Sequence, residues 1–459
     1  MHIDAHKSVP HLTKYTPGSM RELWSISLPL MMTFLSGQLM LFGDRLILAH
    51  YSIEAMSAAA AVGTLCAVFQ YGGLAITSIA EVFVGQYNGA GQPYKVAIPV
   101  WQMIWFSAFL FLIFIPLAFF GGSYFIPEAL FQEGNIYYKW LMVFGPVQSF
   151  LGAITAFYVG RGKVHLVTIA AIIANVVNIG LDYILVFGIP QYIPSLGIEG
   201  AAIATVFSEV IECLILLIIF LKPKYQKRYG THRWKFDQEI FLACLKIGTP
   251  NAVGRVIEIS AWSFLFHIMS WVSGAHMMVL AVGQSVFLLF CFLLDGITKG
   301  ITALASNFIG AQKWEFIPKT LLSAIKIHFI IIMLSAIPLF FFSDLLVDQF
   351  LKNIDPMILP VLQEGSRDSL RWLWLFMVFD GLVWIVAGIL TAAGDTKFIM
   401  ISNAILVWTC AIFPLYILVK NFDIPLYVSW MVTTFYGFMN ALLFIWRYRS
   451  QRWRKLQLQ

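Results

Sequence analysis

Residues 167–188 read VTIAAIIANVVNIGLDYILVFG. A helix of that length rises about 33 Å, enough to cross the roughly 30 Å hydrocarbon core of a bilayer. Asp182 is the only charge in it. A carboxylate at that depth costs about 2.5–3.5 kcal/mol on insertion scales, so some other part of the protein must offset it. The same kind of apolar run recurs near 23–50, 54–86, 97–120, 138–160, 165–188, 199–221, 242–273, 276–309, 320–342, 371–393, 398–419 and 426–447. The pattern predicts an all-α polytopic membrane protein with twelve transmembrane helices. The runs are continuous rather than alternating, which excludes a β-barrel. Only 12% of the 459 residues are charged, against about 25% in a soluble domain, which excludes a soluble globular enzyme.

The net charge of +6 does not imply nucleic acid, because the basic residues flank the spans. With twelve spans, the termini and the loops after even-numbered spans share one side. That side carries Lys7, Lys14, Arg21, Lys95, Arg161, Lys163, the run KPKYQKRYGTHRWK at 222–235, Lys313, Lys319, Lys397 and RYRSQRWRK at 447–455. The other side carries Glu128, Glu133, Asp344, Asp348, Asp355, Glu364, Asp368 and Asp423. The positive-inside rule then predicts cytoplasmic termini and a multi-pass protein of the plasma (cell inner) membrane. Residues 222–235 read as a solvated linker. The first 22 residues, with His2, Lys7, His11 and Lys14, lack the apolar core of a signal peptide. Five scattered cysteines inside apolar runs have no disulfide or zinc spacing.

The chain repeats itself. ISLP at 26–29 aligns with IGTP at 247–250, and ITSIAEVFVGQYNGA at 76–90 aligns with ITKGITALASNFIGA at 297–311, both at an offset of 221. A longer loop near 343–370 then shifts the offset to about 235, pairing MVF at 142–144 with 377–379 and YILV at 183–186 with 416–419. Each repeat has six spans, so the two are parallel and pseudo-symmetric about an axis along the membrane normal. The expected organisation is an N-terminal segment 1–22, a first lobe 23–221, a basic linker 222–241, a second lobe 242–447 and a tail 448–459.

The deep carboxylates break this repeat. Asp182 falls opposite Leu415, Asp44 opposite Leu265, Glu258 opposite Gly37 and Asp380 opposite Gly145. The scaffold can be built without them. Each lobe therefore holds a pair of acids on non-equivalent helices, 1 and 5 in the first lobe and 7 and 10 in the second. Arg255 stands three residues before Glu258 and can neutralise it locally. Span 5 has no base, and Asn175 and Asn178 share a helix face with Asp182. A carboxylate beside amide oxygens can bind Na⁺ or carry a proton. Glu81, Glu209, Glu212, Asp295 and Lys299 are expected near the membrane interfaces, where snorkelling is cheap. His267 and His328 read as packed residues.

Several motifs resemble those of the multidrug and toxic compound extrusion (MATE) family over nearly the whole chain. They are VGQYNGAGQ at 84–92 with SNFIGAQ at 306–312, NIGLDYILVFG followed by LGIEGAAIATV at 196–206, and AAGDTK at 392–397. The resemblance implies a first-lobe cation site at Asp44, Asn178, Asp182 and Thr205, with Na⁺ held by the first three if sodium is the coupling ion. In the NorM-like branch, second-lobe acids are also used, and these map onto Glu258 and Asp380. The sequence departs from the family at Arg45, where a small hydroxyl residue is usual after the first acid. The implied activity is secondary active export of small organic cations in exchange for inward Na⁺ or H⁺, without a cofactor, by a monomer that is not an enzyme. No Walker motif is present. A lipid-linked oligosaccharide flippase of the related superfamily is the alternative, but it calls for a cationic cavity. An aspartyl membrane protease does not fit acids spread over four helices.

Overall fold

The computed structural model describes residues 12–351 and 357–456, so Lys7, His2, His11 and Asp355 lie outside the described residues. Among the described residues, twelve helices are long and apolar enough to cross a membrane. They are α1 (Met20–Tyr51), α2 (Ile53–Gly89), α3 (Pro93–Phe120), α4 (Phe131–Val159), α5 (Val164–Phe187), α6 (Gly197–Phe220), α7 (Gln238–Val272), α8 (Gly274–Gly310), α9 (Phe316–Phe341), α10 (Leu359–Ala392), α11 (Thr396–Asn421) and α12 (Val428–Arg449). Helix starts follow the side-chain chemistry: Ser19, Ser52, Asp237 and Ser273 each accept a hydrogen bond from a first-turn N–H, satisfying donors that a helix start leaves free.

Two helices run past their apolar windows. α4 begins at Phe131 rather than near 138, and α10 begins at Leu359 rather than near 371. Hydropathy marks the membrane edge, not the helix end. The added turns of α10 are amphipathic and carry Arg367 and Arg371, which pair with Asp344 at 2.7 Å and Asp368 at 2.8 Å. A short helix, Ser343–Phe350, precedes them.

The packing follows the repeat. α2, α4 and α6 form one bundle, and α8, α10 and α12 form its counterpart. α1 packs on α5 of its own lobe and on α8 of the other. α7 does the equivalent, packing on α11 and on α2. Leu265 and Leu415, the repeat mates of Asp44 and Asp182, are both buried in one apolar cluster of the second lobe. The same scaffold positions therefore hold leucine in one lobe and carboxylate in the other.

The lobes meet on the basic side, the side of the termini. Gly296 packs on Met31, Gly300 on Ser27, and Gly248 on the backbone of Ile76. At the end of α2, a side-chain carbon on Gly89 would run into the Asn307 carbonyl oxygen, and one on Gly310 would run into that of Gln86. These two contacts are reciprocal, because 89 pairs with 310 and 86 with 307 at the offset of 221. Glycine is required there for close approach of two backbones. Asn88 donates to Asn307 at 2.7 Å, Asn307 donates to Gly160 O at 2.7 Å, and Gln86 donates to Ala392 O at 2.9 Å. The segment before α1 also spans both lobes. Leu12 lies against Gly162, while Gly18 accepts from the Ser323 hydroxyl at 2.8 Å and its N–H is held by Glu22.

The basic linker is fastened rather than merely solvated. Its helix Pro223–Tyr229 folds back on the first lobe, where Tyr225 and Tyr229 close over the buried Arg161 guanidinium with Phe157 and Tyr158. Beyond it, Trp101 donates to Thr231 O and Trp105 to Trp234 O, both at 2.9 Å. Gln102 bonds Lys235 O and the Asp237 N–H. Aromatic and amide side chains of α3 thus compete with water for the linker backbone, a reach that charge patterning does not reveal. The lysine and arginine side chains of 222–228 stay exposed.

Candidate functional site

The first-lobe residues singled out in the sequence come together between α1, α5 and α6. Asp44, Asn178, Asp182 and Thr205 are all buried, Asn178 and Asp182 completely. The Asp44 carboxyl faces the Asp182 carboxyl and the Thr205 hydroxyl. Asp44 Oδ1, both oxygens of Asp182, and both amide atoms of Asn178 are buried and find no hydrogen-bond partner in the protein. Buried polar atoms are almost always satisfied, so five unpartnered ones in one place leave room for a proton, a cation or water. The Thr205 hydroxyl itself donates to Ala201 O at 3.0 Å, which leaves its lone pairs free to face the acids.

Asn175 is not part of this group. Its amide donates to Ser36 Oγ at 2.6 Å and ties α5 to α1. Arg45 is exposed and makes no ion pair with Asp44 among the described residues. Successive residues on a helix point about 100° apart, so the departure at position 45 leaves Asp44 inside and the guanidinium outside. Tyr137 of α4 was not legible in the sequence. It is buried and lies within electrostatic reach of both acids.

The second-lobe residues also meet. Arg255 Nη1 lies 3.3 Å from Glu258 Oε2, and both side chains are partly exposed. Asp380 is buried, with Oδ2 unpartnered, and faces Glu258, Arg255 and the Trp384 indole. The Arg255 guanidinium sits 4.4 Å from the Trp384 ring centroid. Asp295 faces Arg255 and Glu258 from α8, and Tyr436 faces Glu258 and Asp380 from α12. Asn440 bridges Tyr436 and Asn403.

Several of the charges expected near the membrane interfaces are engaged by other helices. Lys299 Nζ lies 2.9 Å from Glu81 Oε2 and joins α8 to α2 across the lobes, with Glu81 buried. Glu209 accepts from Gln148 at 2.8 Å halfway along α6. Tyr71, though 48% exposed, lies within electrostatic reach of Glu209 on one lobe and Asp295 on the other. Tyr71 thus stands between acids of the two lobes. A hydropathy window places a charge along the chain but not the face it occupies. His328 is buried, with Nε2 against the Val378 carbonyl at 3.2 Å.

The Glu81–Lys299 pair gives a direct stability prediction. Lys299→Met leaves a buried carboxylate without its partner, a loss of about 3–5 kcal/mol. Thermal unfolding in detergent should show it, and Glu81→Gln in the same chain should restore most of it. Equal melting points for Lys299→Met and wild type would mean the pair contributes nothing.

Two parallel six-helix lobes with carboxyl groups buried among their helices have the architecture of a multi-pass membrane transporter. The MatE family model matches residues 29–184 and again 250–417, and the chain belongs to that family of multidrug and toxic compound extrusion transporters. The two matches begin at Pro29 and Pro250, the pair that opens the internal repeat. The chain is 25% identical over 451 residues to the probable multidrug resistance protein NorM of Thermotoga maritima, covering 96% of this chain and 94% of that one. It is 24% identical over 402 residues to the probable multidrug resistance protein YoeA of Bacillus subtilis, covering 84% and 83%. Among solved structures, a superfamily transporter from Pyrococcus furiosus, described as having a binding pocket of reverse polarity, superposes with a TM-score of 0.85 at 16% identity over 98% of this chain and 100% of that one. An outward-facing multidrug resistance MATE transporter gives 0.84 at 18% over 95% and 97%. At these identities the structural likeness speaks for the fold alone.

Proposed function

We propose that the protein is a secondary active antiporter that exports organic cations in exchange for inward Na⁺ or H⁺. It works as a monomer in the inner (plasma) membrane, with both termini cytoplasmic. The observation that carries this reading is the set of unpartnered buried polar atoms at Asp44, Asn178 and Asp182. Two carboxyls facing each other in a low-dielectric interior need a compensating positive charge, which a shared proton or a Na⁺ supplies. A site whose occupancy changes the local charge can bias the lobes between two orientations, because the two orientations then differ in their affinity for the ion. The contacts at Gly89, Gly310 and Glu81–Lys299 close the basic side. This geometry supports a cleft that opens toward the acidic, external side. Glu209, Glu212, Asp295 and Asp380 give the cleft the polarity a cation needs, and they disfavour a lipid-linked pyrophosphate.

The test is ethidium transport in proteoliposomes under a Na⁺ gradient and, separately, a pH gradient. Uptake against the ethidium gradient with one of the two is the expected result, and it names the coupling ion. Folded protein that moves ethidium under neither would overturn the assignment.

A further inference from the structure

The Arg255 guanidinium occupies a site built for a cation. It lies 3.3 Å from Glu258 and 4.4 Å from the centroid of Trp384, with Asp380 and Asp295 turned toward it. Carboxylates around an aromatic face are the chemistry that recognises an organic cation. Nothing in the scaffold demands this box. At the repeat offsets, Arg255, Glu258, Asp295, Asp380 and Trp384 correspond to Phe34, Gly37, Leu74, Gly145 and Ser149. All five members are departures from the repeat, and in the first lobe the equivalent of Glu258, Gly37, faces open space.

We infer that Arg255 is a resident, tethered cation that fills the second-lobe box, and that the cationic group of a substrate binds there by displacing it. The inference rests on the proposed export of organic cations and adds a specificity element to it. The guanidinium is held by one three-residue helical pair and a ring face, and its side chain is 42% exposed. Such a contact is weak enough to open, and the long arginine side chain can swing into the cleft while Glu258 stays in place. The consequence is selection. A substrate must offer more than charge, because charge is already supplied. It needs apolar surface against Trp384 and Tyr436 to outcompete an intramolecular partner. Small hydrophilic cations are excluded, and bulky, delocalised aromatic cations are favoured.

The experiment uses the full-length protein in detergent, with ethidium binding read by fluorescence polarisation at low ionic strength. Arg255→Gln should bind ethidium about tenfold more tightly than wild type, and Arg255→Lys should fall between the two. In Arg255→Ala, millimolar methylguanidinium should fill the box and compete with ethidium, while it leaves binding to wild type unchanged. A purely packing role for Arg255 would give no such competition. Unchanged or weaker ethidium binding in folded Arg255→Gln overturns the inference, as does tightening that persists in Arg255→Gln/Trp384→Leu. If wild type transports ethidium and Arg255→Gln binds it no better, the inference fails and the antiporter reading stands. If neither protein binds or transports ethidium, both fail.

Discussion

Asp182→Asn is expected to abolish ion-coupled transport and to leave the fold intact. Asparagine has the shape of aspartate but cannot release a proton or carry the negative charge that holds Na⁺. At Asp182 the carboxyl is fully buried, and neither oxygen has a hydrogen-bond donor in the protein. No structural hydrogen bond is lost on substitution, and a costly buried charge is removed. The melting temperature should therefore stay within the shift that corresponds to about 1 kcal/mol, or rise. Gradient-driven ethidium flux should fall to the rate of protein-free liposomes. Ethidium binding in detergent, which does not need coupling, should persist. Protein that fails to reach the membrane or melts many degrees lower would make Asp182 a structural residue and sink the proposal. Glu258→Gln should cost less, because Glu258 is half exposed and already paired with Arg255. Equal losses in the two variants would sink the ranking of the lobes.

Gly89→Ala should be among the most damaging conservative substitutions in the protein. The added methyl meets a backbone carbonyl of the opposite lobe, not a side chain that can turn aside. Overpacking a yielding core site costs about 1–3 kcal/mol, and here the relief available is separation of α2 from α8. Opening that seam also strains the Asn88–Asn307 and Asn307–Gly160 hydrogen bonds. Amide exchange at 84–92 and 305–313 should rise together, even though only one segment is mutated, and transport should be lost. Gly310→Ala should reproduce both effects. Exchange confined to the mutated helix would show that the two contacts are independent.

Much of this was legible in the sequence for physical reasons. Twenty-residue apolar runs have few alternatives in a bilayer, and the pairing of Pro29 with Pro250 gave the lobe repeat. Because Asp44 and Asp182 have leucine mates, the acids could be separated from the scaffold, and both leucines are indeed buried in an apolar cluster. What stayed hidden depends on contacts between helices distant in sequence. Tyr137, Asp295 and Trp384 join their sites from α4, α8 and α10, and no spacing rule connects them. The same limit concealed the cross-lobe partner of Glu81. The turn after α4 and the turn after α10 show it most plainly. GRGK at 160–163 and AAGD at 392–395 make the same turn, with Gly162 and Gly394 both at positive φ, yet the first buries Arg161 under aromatic rings while the second holds Asp395 against Arg447 at 2.7 Å.

The seam at Gly89 and Gly310 also has the geometry of a dimer interface. Residue i on j and j on i is the pattern of an isologous homodimer interface. A side-chain carbon on Gly85 would meet Ser306, its own repeat mate, and a residue can touch its own equivalent only on the two-fold axis. Two copies of one six-helix chain, inserted in parallel, would make this entire seam from a single glycine and a single amide per subunit. They could not make the rest of the protein. In a homodimer an acid on the first helix appears on both first helices, so a proton or sodium site and a cation box could not occupy different helices of the two halves. One chain that joins the two halves covalently can hold a different site in each.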